Sequence, residues 1–210
     1  MGHRKKRNTR ERILQAAARL FHEQGFAATG VAAILREADV NSGSLYHFFS
    51  SKDALLEGVL ERYLERLYPD IMQPLEAGER EPLRRVFCLL DWYRGFLMDH
   101  NCRLGCPVGN LALEVSDTHP ELRQLLDRNF RNWAGIVEGW LNEAGAALPQ
   151  DCDRKGLATL VLTVLEGGIM QARAAGSVAT FDQSVAQLRH YLDTLAGQAR
   201  QACGQRAQVA

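Results

Sequence analysis

The chain has 210 residues, of which 46% are hydrophobic and 24% are charged, and its formal net charge is zero. This composition is typical of a folded globular protein and excludes a disordered chain. No apolar run approaches the roughly 20 residues that span a bilayer, and no signal-peptide-like segment follows the N-terminus. We therefore expect a cytoplasmic protein of one or two domains with no membrane partner.

The cysteines are few and odd in number: Cys88, Cys102, Cys106, Cys152 and Cys203. Such a set lacks the density of a disulfide scaffold and predicts reduced thiols, as in a cytoplasm.

Basic side chains are concentrated at the N-terminus, where Glu11 is the one acid among the first dozen residues. The basic residues there are Arg4, Lys5, Lys6, Arg7, Arg10 and Arg12. A short basic patch of this kind suits contact with phosphates. A solvated tail is the alternative interpretation.

The first four helices are predicted from their capping residues. The first begins at Asn8 or Thr9 and ends at Gly25, because glycine is common after a helix C-terminus. Thr29 caps a second helix that runs through about Glu37.

A turn at Asp39 and Val40 leads to a third helix, which Asn41 or Ser42 caps and which runs through about Phe48. Ser50 or Ser51 caps the fourth helix, and Pro69 bends or ends it.

The middle of the chain is predicted to hold two long helices. A polar connector near 73–80 precedes a helix that Pro82 opens and that runs to about His100. The segment 101–109 is irregular, and a short helix around 111–114 follows it. Pro120 opens the second long helix, which stops near Gly145.

The last two helices, about 153–174 and 181–202, carry apolar seams at near-heptad spacing. Thr180 and Gln183 form a capping box at the start of the second. The seam residues are Leu157, Leu160, Val164 and Gly167 in one helix and Val185, Leu188, Leu192, Leu195 and Ala199 in the other. We expect these seams to form a four-helix contact between two copies of the chain, with Gly167 and Gly168 allowing close approach. The alternative is that both seams face their own core.

The second and third helices have the features of a helix–turn–helix. Ser42, Gly43 and Ser44 lack bulk, so the third helix can approach the wall of a DNA groove closely, and its hydroxyls can bond to bases or phosphates. Phosphate contacts are expected from Thr29, Tyr46, His47 and Lys52, together with Arg4, Lys5, Lys6 and Arg7, and Asn41 is a further candidate for DNA contact. A surface helical hairpin without a nucleic-acid partner is the alternative.

Several of these segments closely resemble the N-terminal domain of the TetR family of bacterial transcription regulators. They are 20–26, Thr29, 40–46 and 49–55, and the resemblance covers about residues 8–56. In that family the third helix enters the major groove, and the resemblance gives phosphate contacts to Tyr46 and Lys52.

The resemblance implies an all-α fold of about nine helices. It places a helix–turn–helix domain at 1–55 and a helical regulatory and dimerisation domain at 56–210. The expected protein is a homodimeric regulator, most simply a repressor, with no cofactor and no enzymatic activity. It would bind a pseudo-palindromic operator in double-stranded DNA and be released by a small apolar effector.

The segment 105–114 looks like one found in a subgroup of the family in which some members respond to oxidants or electrophiles through a cysteine. Cys106 is the candidate for a thiol switch here, with Cys102 as its partner, although a small buried residue in a tight turn is an equally simple interpretation. The expected effector pocket is lined by Trp92, Phe96, Cys106, Asn110, Glu114, Trp133, Val137, Glu166 and Met170.

Two further classes of function stay open at this point. An enzyme could use a thiol or metal site in the loop 101–110, with His100, Cys102, Cys106 and His119 as candidate ligands, although the metal spacing is poor. A DNA-packaging protein without effector control would bind duplexes with little sequence preference.

Overall fold

The computed structural model describes the backbone of residues 2–209 and the side chains of residues 9–204. Within that range the chain forms helices and no strand, which confirms the all-helical prediction. The α-helices are α1 (Gly2–Gln24), α2 (Val31–Ala38), α3 (Ser42–Phe48), α4 (Lys52–Leu67), α5 (Gln73–Gly78), α6 (Pro82–Asp99), α7 (Pro107–Val115), α8 (Pro120–Glu143), α9 (Arg154–Ala175) and α10 (Ala179–Val209).

Most of the predicted helix ends are confirmed by the capping bonds. Gly25 adopts φ +86° and donates its N–H to the Phe21 carbonyl, which ends α1. The Asn41 side chain accepts from the N–H of Ser44 at the start of α3, and the Ser51 hydroxyl accepts from Ala54 at the start of α4. These local signals lie within four residues of the ends they set, so the sequence reveals them.

Pro69 interrupts the α-helical pattern as predicted, although the chain does not turn irregular. The α4 helix ends at Leu67, and a π-helical turn (Tyr68–Met72) leads directly into α5. The prediction of a polar connector at 73–80 is wrong because α5 occupies most of it. Glu76 of α5 accepts a hydrogen bond from the buried Trp140 indole at 2.7 Å, which gives this short helix a tertiary partner.

Four helix starts differ from the prediction, and one of them is that of α7, which begins at Pro107 inside the segment predicted to be irregular. The α1 helix begins at Gly2 rather than at Asn8 or Thr9. Gly30, not Thr29, is the N-cap residue of α2. The α10 helix begins at Ala179, where the Ser177 hydroxyl accepts the first N–H, so Thr180 is already inside the helix.

The chain divides into two compact units. The first unit contains residues 1–67 and 106–130, and the second contains 68–105 and 131–210. The predicted domains meet at 55/56, which lies inside α4, and they place α7 in a different domain from α1–α3. The units instead group α7 and the first part of α8 with α1–α4. The boundary between the units crosses α8 after residue 130.

The first unit has a core built from α1 and the helices around it. Ile13, Leu45, Leu55 and Leu60 are fully buried, and Phe21 is nearly so. The α1 helix packs against α2, α3, α4 and α7. Gly58 lets α4 lie close to α1, since a Cβ at this position would be 3.0 Å from both Leu14 and Phe49.

The second unit contains α5, α6, α9, α10 and the remainder of α8. Its core includes Leu89, Val137, Leu165 and Phe181. By length and composition alone α9 could cross a membrane. About half of its most apolar stretch is buried inside the unit, however, so packing against α6 and α10 already accounts for much of that apolar character.

Candidate nucleic-acid interface

The α3 helix has one buried side and one exposed side. Leu45 is fully buried and anchors the helix, and Phe49 follows it into the core. The Asn41 side chain accepts hydrogen bonds from the Ser44 N–H at 2.8 Å and from the Ser44 hydroxyl at 3.0 Å. Asn41 and Ser44 therefore fix the N-terminus of α3, so their side chains already have partners within the protein.

The exposed side of α3 carries the predicted reading residues. Ser42, Gly43 and His47 are exposed, and Tyr46 is 57% exposed. A Cβ built at Gly43 would meet only the Asn41 Oδ1, at an ordinary 3.5 Å. The protein itself therefore has room for a side chain at Gly43, and the small surface there is available for close approach of another molecule.

Arg12 holds the turn between α2 and α3. Its guanidinium donates to the carbonyl of Ala38 and, at 2.7 Å, to that of Asp39, and it also pairs with the Asp39 carboxylate at 3.1 Å. A cation is favourable at a helix C-terminus, where carbonyls are left without helical partners. Asp39 has φ 50°, so the turn is left-handed at this residue. Arg12, counted in the sequence as part of a phosphate-binding patch, is instead engaged inside the fold.

Lys52, at the first position of α4, lies against the turn between α1 and α2. Its Nζ is 3.5 Å from the Ala27 carbonyl oxygen and 4.3 Å from the centroid of the Phe26 ring. Burial lowers the pKa of Lys52, and the nearby charges of Glu114 and Asp53 oppose that effect. The predicted phosphate contact is therefore a half-buried cation that other groups of the first unit hold in place.

Thr29 is not placed for the predicted contact with phosphate. Its side chain is fully buried, and the hydroxyl lies 2.6 Å from the Gly25 carbonyl oxygen and 3.2 Å from that of Leu20. The side chain closes the turn after α1 and faces the core. The other predicted phosphate contacts, Arg4, Lys5, Lys6 and Arg7, have side chains that lie outside the described residues.

Three of the predicted effector contacts, Cys106, Asn110 and Glu114, belong to the first unit. Cys106 is the N-cap residue of α7 and is 2% exposed, and its Sγ accepts from the Gly109 N–H at 3.4 Å. Asn110 is half-buried on α7. Glu114 was expected to anchor a ligand, but its carboxylate accepts from the backbone N–H groups of Phe26 and Ala27. The bond to Phe26 joins positions 88 residues apart, so no local sequence signal reveals it.

The remaining predicted effector contacts belong to the second unit. Trp92 and Phe96 stack with ring centroids 6.0 Å apart, and Trp133 lies 5.4 Å from the ring of Tyr93. Trp133 is 3% exposed, and among the described residues its Nε1 has no hydrogen-bond acceptor.

The other predicted effector contacts of the second unit differ in how deeply they are buried. Val137 is fully buried one turn after Trp133, whereas Glu166 is half-buried and Met170 is 56% exposed on α9. Val137 therefore lies in the core of the second unit, whereas Met170 lies on the exposed side of α9.

Two clefts of the second unit lie elsewhere. One of about 440 Å³ is lined by parts of 149–160 and 191–198, and another of about 910 Å³ by parts of 145–154 and 198–203. None of the predicted effector contacts lines either cleft. In the described part of the chain no group of three or more His, Cys, Asp or Glu residues is placed to hold a metal ion, and none of the cysteines forms a disulfide.

The structure buries some residues of the predicted seams on α9 and α10 and leaves others partly exposed. Leu157, Leu188, Leu192 and Ala199 are buried within the chain, so for these residues the alternative of an ordinary core position is correct. Another group stays partly exposed and forms an outer apolar face on α9 and α10. It consists of Leu160, Val164, Gly167 and Leu195 from the predicted seams, joined by Met170 and Tyr191. The remaining seam residue, Val185, is half-buried.

Comparison with known proteins agrees with this geometry. Residues 13–59 match the family model described as bacterial regulatory proteins of the tetR family, and residues 82–187 match the C-terminal domain of LmrA/YxaF-like transcriptional regulators. The chain is 31% identical over 176 residues to the HTH-type transcriptional regulator LmrA of Bacillus subtilis, covering 80% of this chain and 88% of that one.

Two further relatives span nearly the whole chain. The HTH-type transcriptional repressor NemR of Escherichia coli is 24% identical over 89% of this chain and 95% of its own length. The crystal structure of a regulatory protein TetR from Rhodobacter sphaeroides superimposes with a TM-score of 0.77 at 26% identity, covering 85% of this chain and 95% of that one. These relatives are transcription regulators and not enzymes.

Proposed function

The chain belongs to the TetR family of bacterial transcription regulators, and on that premise we propose that it is an effector-released repressor that binds operator DNA as a homodimer. The exposed side of α3 would enter the major groove at each half-site of a pseudo-palindrome. Its place of action would be the cytoplasm, where the chromosome lies. The segment 105–114 supports assignment to the subgroup that the sequence suggested.

The single observation that carries the proposal is the exposed, small-residue side of α3. Leu45 fixes the helix from within, and Ser42 and Gly43 leave the outer side narrow. Tyr46 and His47 flank that narrow side and can bond to phosphates. Contacts of this kind position a protein on DNA, whereas groups that reach base edges give sequence preference.

The outer apolar face on α9 and α10 supports a dimer. Leu160 is 39% exposed, Tyr191 47% and Met170 56%, which is unusual for large side chains on two adjacent helices. A Cβ added to Gly167, on the same face, would have no atom within 4 Å, so a second helix could approach there closely. A second copy of the chain would cover this face.

The aromatic cluster of the second unit supports an effector that is flat, mostly apolar and equipped with a hydrogen-bond acceptor. Trp92, Tyr93, Phe96 and Trp133 supply ring surfaces. A buried indole N–H without an acceptor costs about 1–3 kcal/mol, and a ligand oxygen near Trp133 would remove that cost. The burial of Cys106 and its bond at the start of α7 favour a structural thiol over the alternative thiol switch.

The test is selection of duplexes from a random library by the wild-type protein, followed by affinity measurements with a Gly43→Leu variant. We expect the selected duplexes to share an inverted repeat. Gly43→Leu should fold normally, because the site is open, and should bind the selected duplex at least about tenfold more weakly, as a blocked groove contact predicts.

Gly135→Leu is the matched control. A side chain at Gly135 would also meet open space, but this residue lies on α8 in the second unit. The control should bind the duplex like the wild type. Selection without any common sequence, or equal binding by Gly43→Leu, would contradict the proposal, and the former result would favour a DNA-packaging role.

A further inference from the structure

The last turn of α7 is bonded to the turn between α1 and α2. One carboxylate oxygen of Glu114 accepts from the Phe26 N–H at 2.8 Å, and the other accepts from the Ala27 N–H at 2.6 Å. Hydrogen bonds to an ionised acceptor are stronger than neutral ones, and a two-point bond also fixes direction. Glu114 therefore fixes the backbone of the turn that leads into α2.

Gly25 makes this bond possible in two ways. Its φ of +86° is a conformation that other residues rarely adopt, and it directs the chain from α1 into the turn. A Cβ at this position would lie 3.2 and 3.3 Å from the two carboxylate oxygens of Glu114. The turn is thus shaped to admit the carboxylate.

The same turn carries Lys52. The Lys52 Nζ is 3.5 Å from the carbonyl oxygen of Ala27 and 4.3 Å from the centroid of the Phe26 ring, so both residues held by Glu114 also touch the lysine. A displaced turn would move the surface on which Lys52 rests. The position of this predicted phosphate contact depends in this way on a residue of α7.

A second contact runs beside the first. The ring of His119 lies edge-on to Phe26 with centroids 5.6 Å apart, and its Nε2 is 3.5 Å from Asp53 Oδ1 at the start of α4. Glu114 and His119 fall within the match to the C-terminal family model, whereas Phe26 and Asp53 fall within the match to the N-terminal one. Residues of the regulatory sequence thus belong structurally to the DNA-binding unit.

We propose that Glu114 is a positioning residue for DNA recognition, which fixes the turn between α1 and α2 and thereby the place from which Lys52 reaches a phosphate. This inference rests on the proposed function, since it concerns how tightly the same interface binds an operator. It assigns α7 a direct part in setting the affinity for DNA.

The experiment uses full-length protein and the duplex that the wild type selects from a random library. Glu114→Gln keeps the size of the side chain but removes its charge and one acceptor oxygen. We expect it to bind the duplex about tenfold more weakly, equivalent to about 1.4 kcal/mol. Glu114→Asp keeps the charge with a shorter reach and should recover part of the loss. Glu121→Gln removes an exposed charge at the start of α8 and should bind like the wild type.

A double-mutant cycle with Lys52→Met separates positioning from general stability. Each single variant should reduce the salt dependence of binding by about one phosphate contact, a change of about 0.9 in the logarithmic slope. The double variant should lose little more than either single one, because Lys52 is already displaced when Glu114 is changed. A merely structural role predicts losses that add and a salt slope that Glu114→Gln leaves unchanged.

Amide hydrogen exchange provides a readout that needs no DNA. The Phe26 and Ala27 amides should exchange faster in Glu114→Gln than in the wild type, and those in α9 should not change. Equal duplex affinity of Glu114→Gln and wild type, or additive losses in the cycle, would overturn the inference. Failure of the wild type to select any duplex would instead overturn the proposed function.

Discussion

Thr29 shows how one residue type can serve two different purposes near a helix start. A threonine ahead of an apolar helix suggests an N-cap residue or a phosphate contact. In the structure the side chain is fully buried, and its hydroxyl lies within hydrogen-bond distance of two carbonyls of the chain leaving α1. Gly30 takes the N-cap position instead. The residue therefore holds the turn together from inside.

Thr29→Val tests this interpretation. Valine has nearly the same shape but leaves the Gly25 carbonyl without its 2.6 Å hydroxyl partner. We expect the free energy of unfolding to fall by about 1–2 kcal/mol, as for other buried acceptors that lose a donor. Urea unfolding measures the loss. Thr159→Val, which changes an exposed hydroxyl bonded to the Lys155 carbonyl of its own helix, should stay within about 0.5 kcal/mol of the wild type. An unchanged midpoint for Thr29→Val would show that the hydroxyl contributes nothing to stability.

At the scale of single residues, the sequence predicts those contacts whose two partners are close along the chain. Asn41 capping α3 and Pro82 opening α6 are both readable, because the groups that they serve lie within four positions. The contacts of Arg12 and Glu114 could not be predicted from the sequence in this way. Their partners are 26 to 27 and 87 to 88 residues away, and only the fold brings them together.

At the scale of helices, the adjacent glycines of α9 have opposite surroundings. A Cβ at Gly168 would lie 2.8 Å from the ring of Phe181, which is 1% exposed and has no room to move outward. A Cβ at Gly167, by contrast, would meet no atom within 4 Å. The predicted close approach of another helix is thus satisfied by α10 at Gly168, within the chain, and leaves Gly167 for an outside partner.

Gly168→Ala should therefore destabilise the packing of α9 against α10. Overpacking costs about 1–3 kcal/mol, and the better helix propensity of alanine returns about 1 kcal/mol of it. We expect a net loss of about 1 kcal/mol, measured as a lower thermal midpoint at fixed protein concentration. Gly135→Ala lies in an open position of α8 and should be neutral or slightly stabilising. A rise in the midpoint for Gly168→Ala would show that Phe181 can yield.

For the whole molecule, the outer apolar face on α9 and α10 is the proposed contact through which two reading helices would act together. The sequence predicts a dimer contact on these two helices because both carry apolar residues at near-heptad spacing. It could not separate the outward side from the inward one, because Leu188 and Leu192 have the same spacing as exposed seam positions and yet lie in the core. That distinction depends on where α6 packs against α9 and α10.

Gly167→Leu tests the dimer directly. The large side chain would fit the single chain, where nothing lies within 4 Å, but would hold apart a second copy at the proposed contact. We expect sedimentation analysis to show a shift toward monomer at concentrations where the wild type and Gly135→Leu remain dimeric. An unshifted dimer would place the interface elsewhere.

The same variant links assembly to DNA recognition. Two reading helices joined in one dimer gain affinity for a full inverted repeat because the second half-site is bound at high effective concentration. We therefore expect Gly167→Leu to lose most of the preference for a full repeat over an isolated half-site, while its affinity for the half-site matches the wild type. Gel-shift titration of both duplexes measures the ratio. A weaker half-site affinity would mean instead that the substitution had disturbed the reading unit itself.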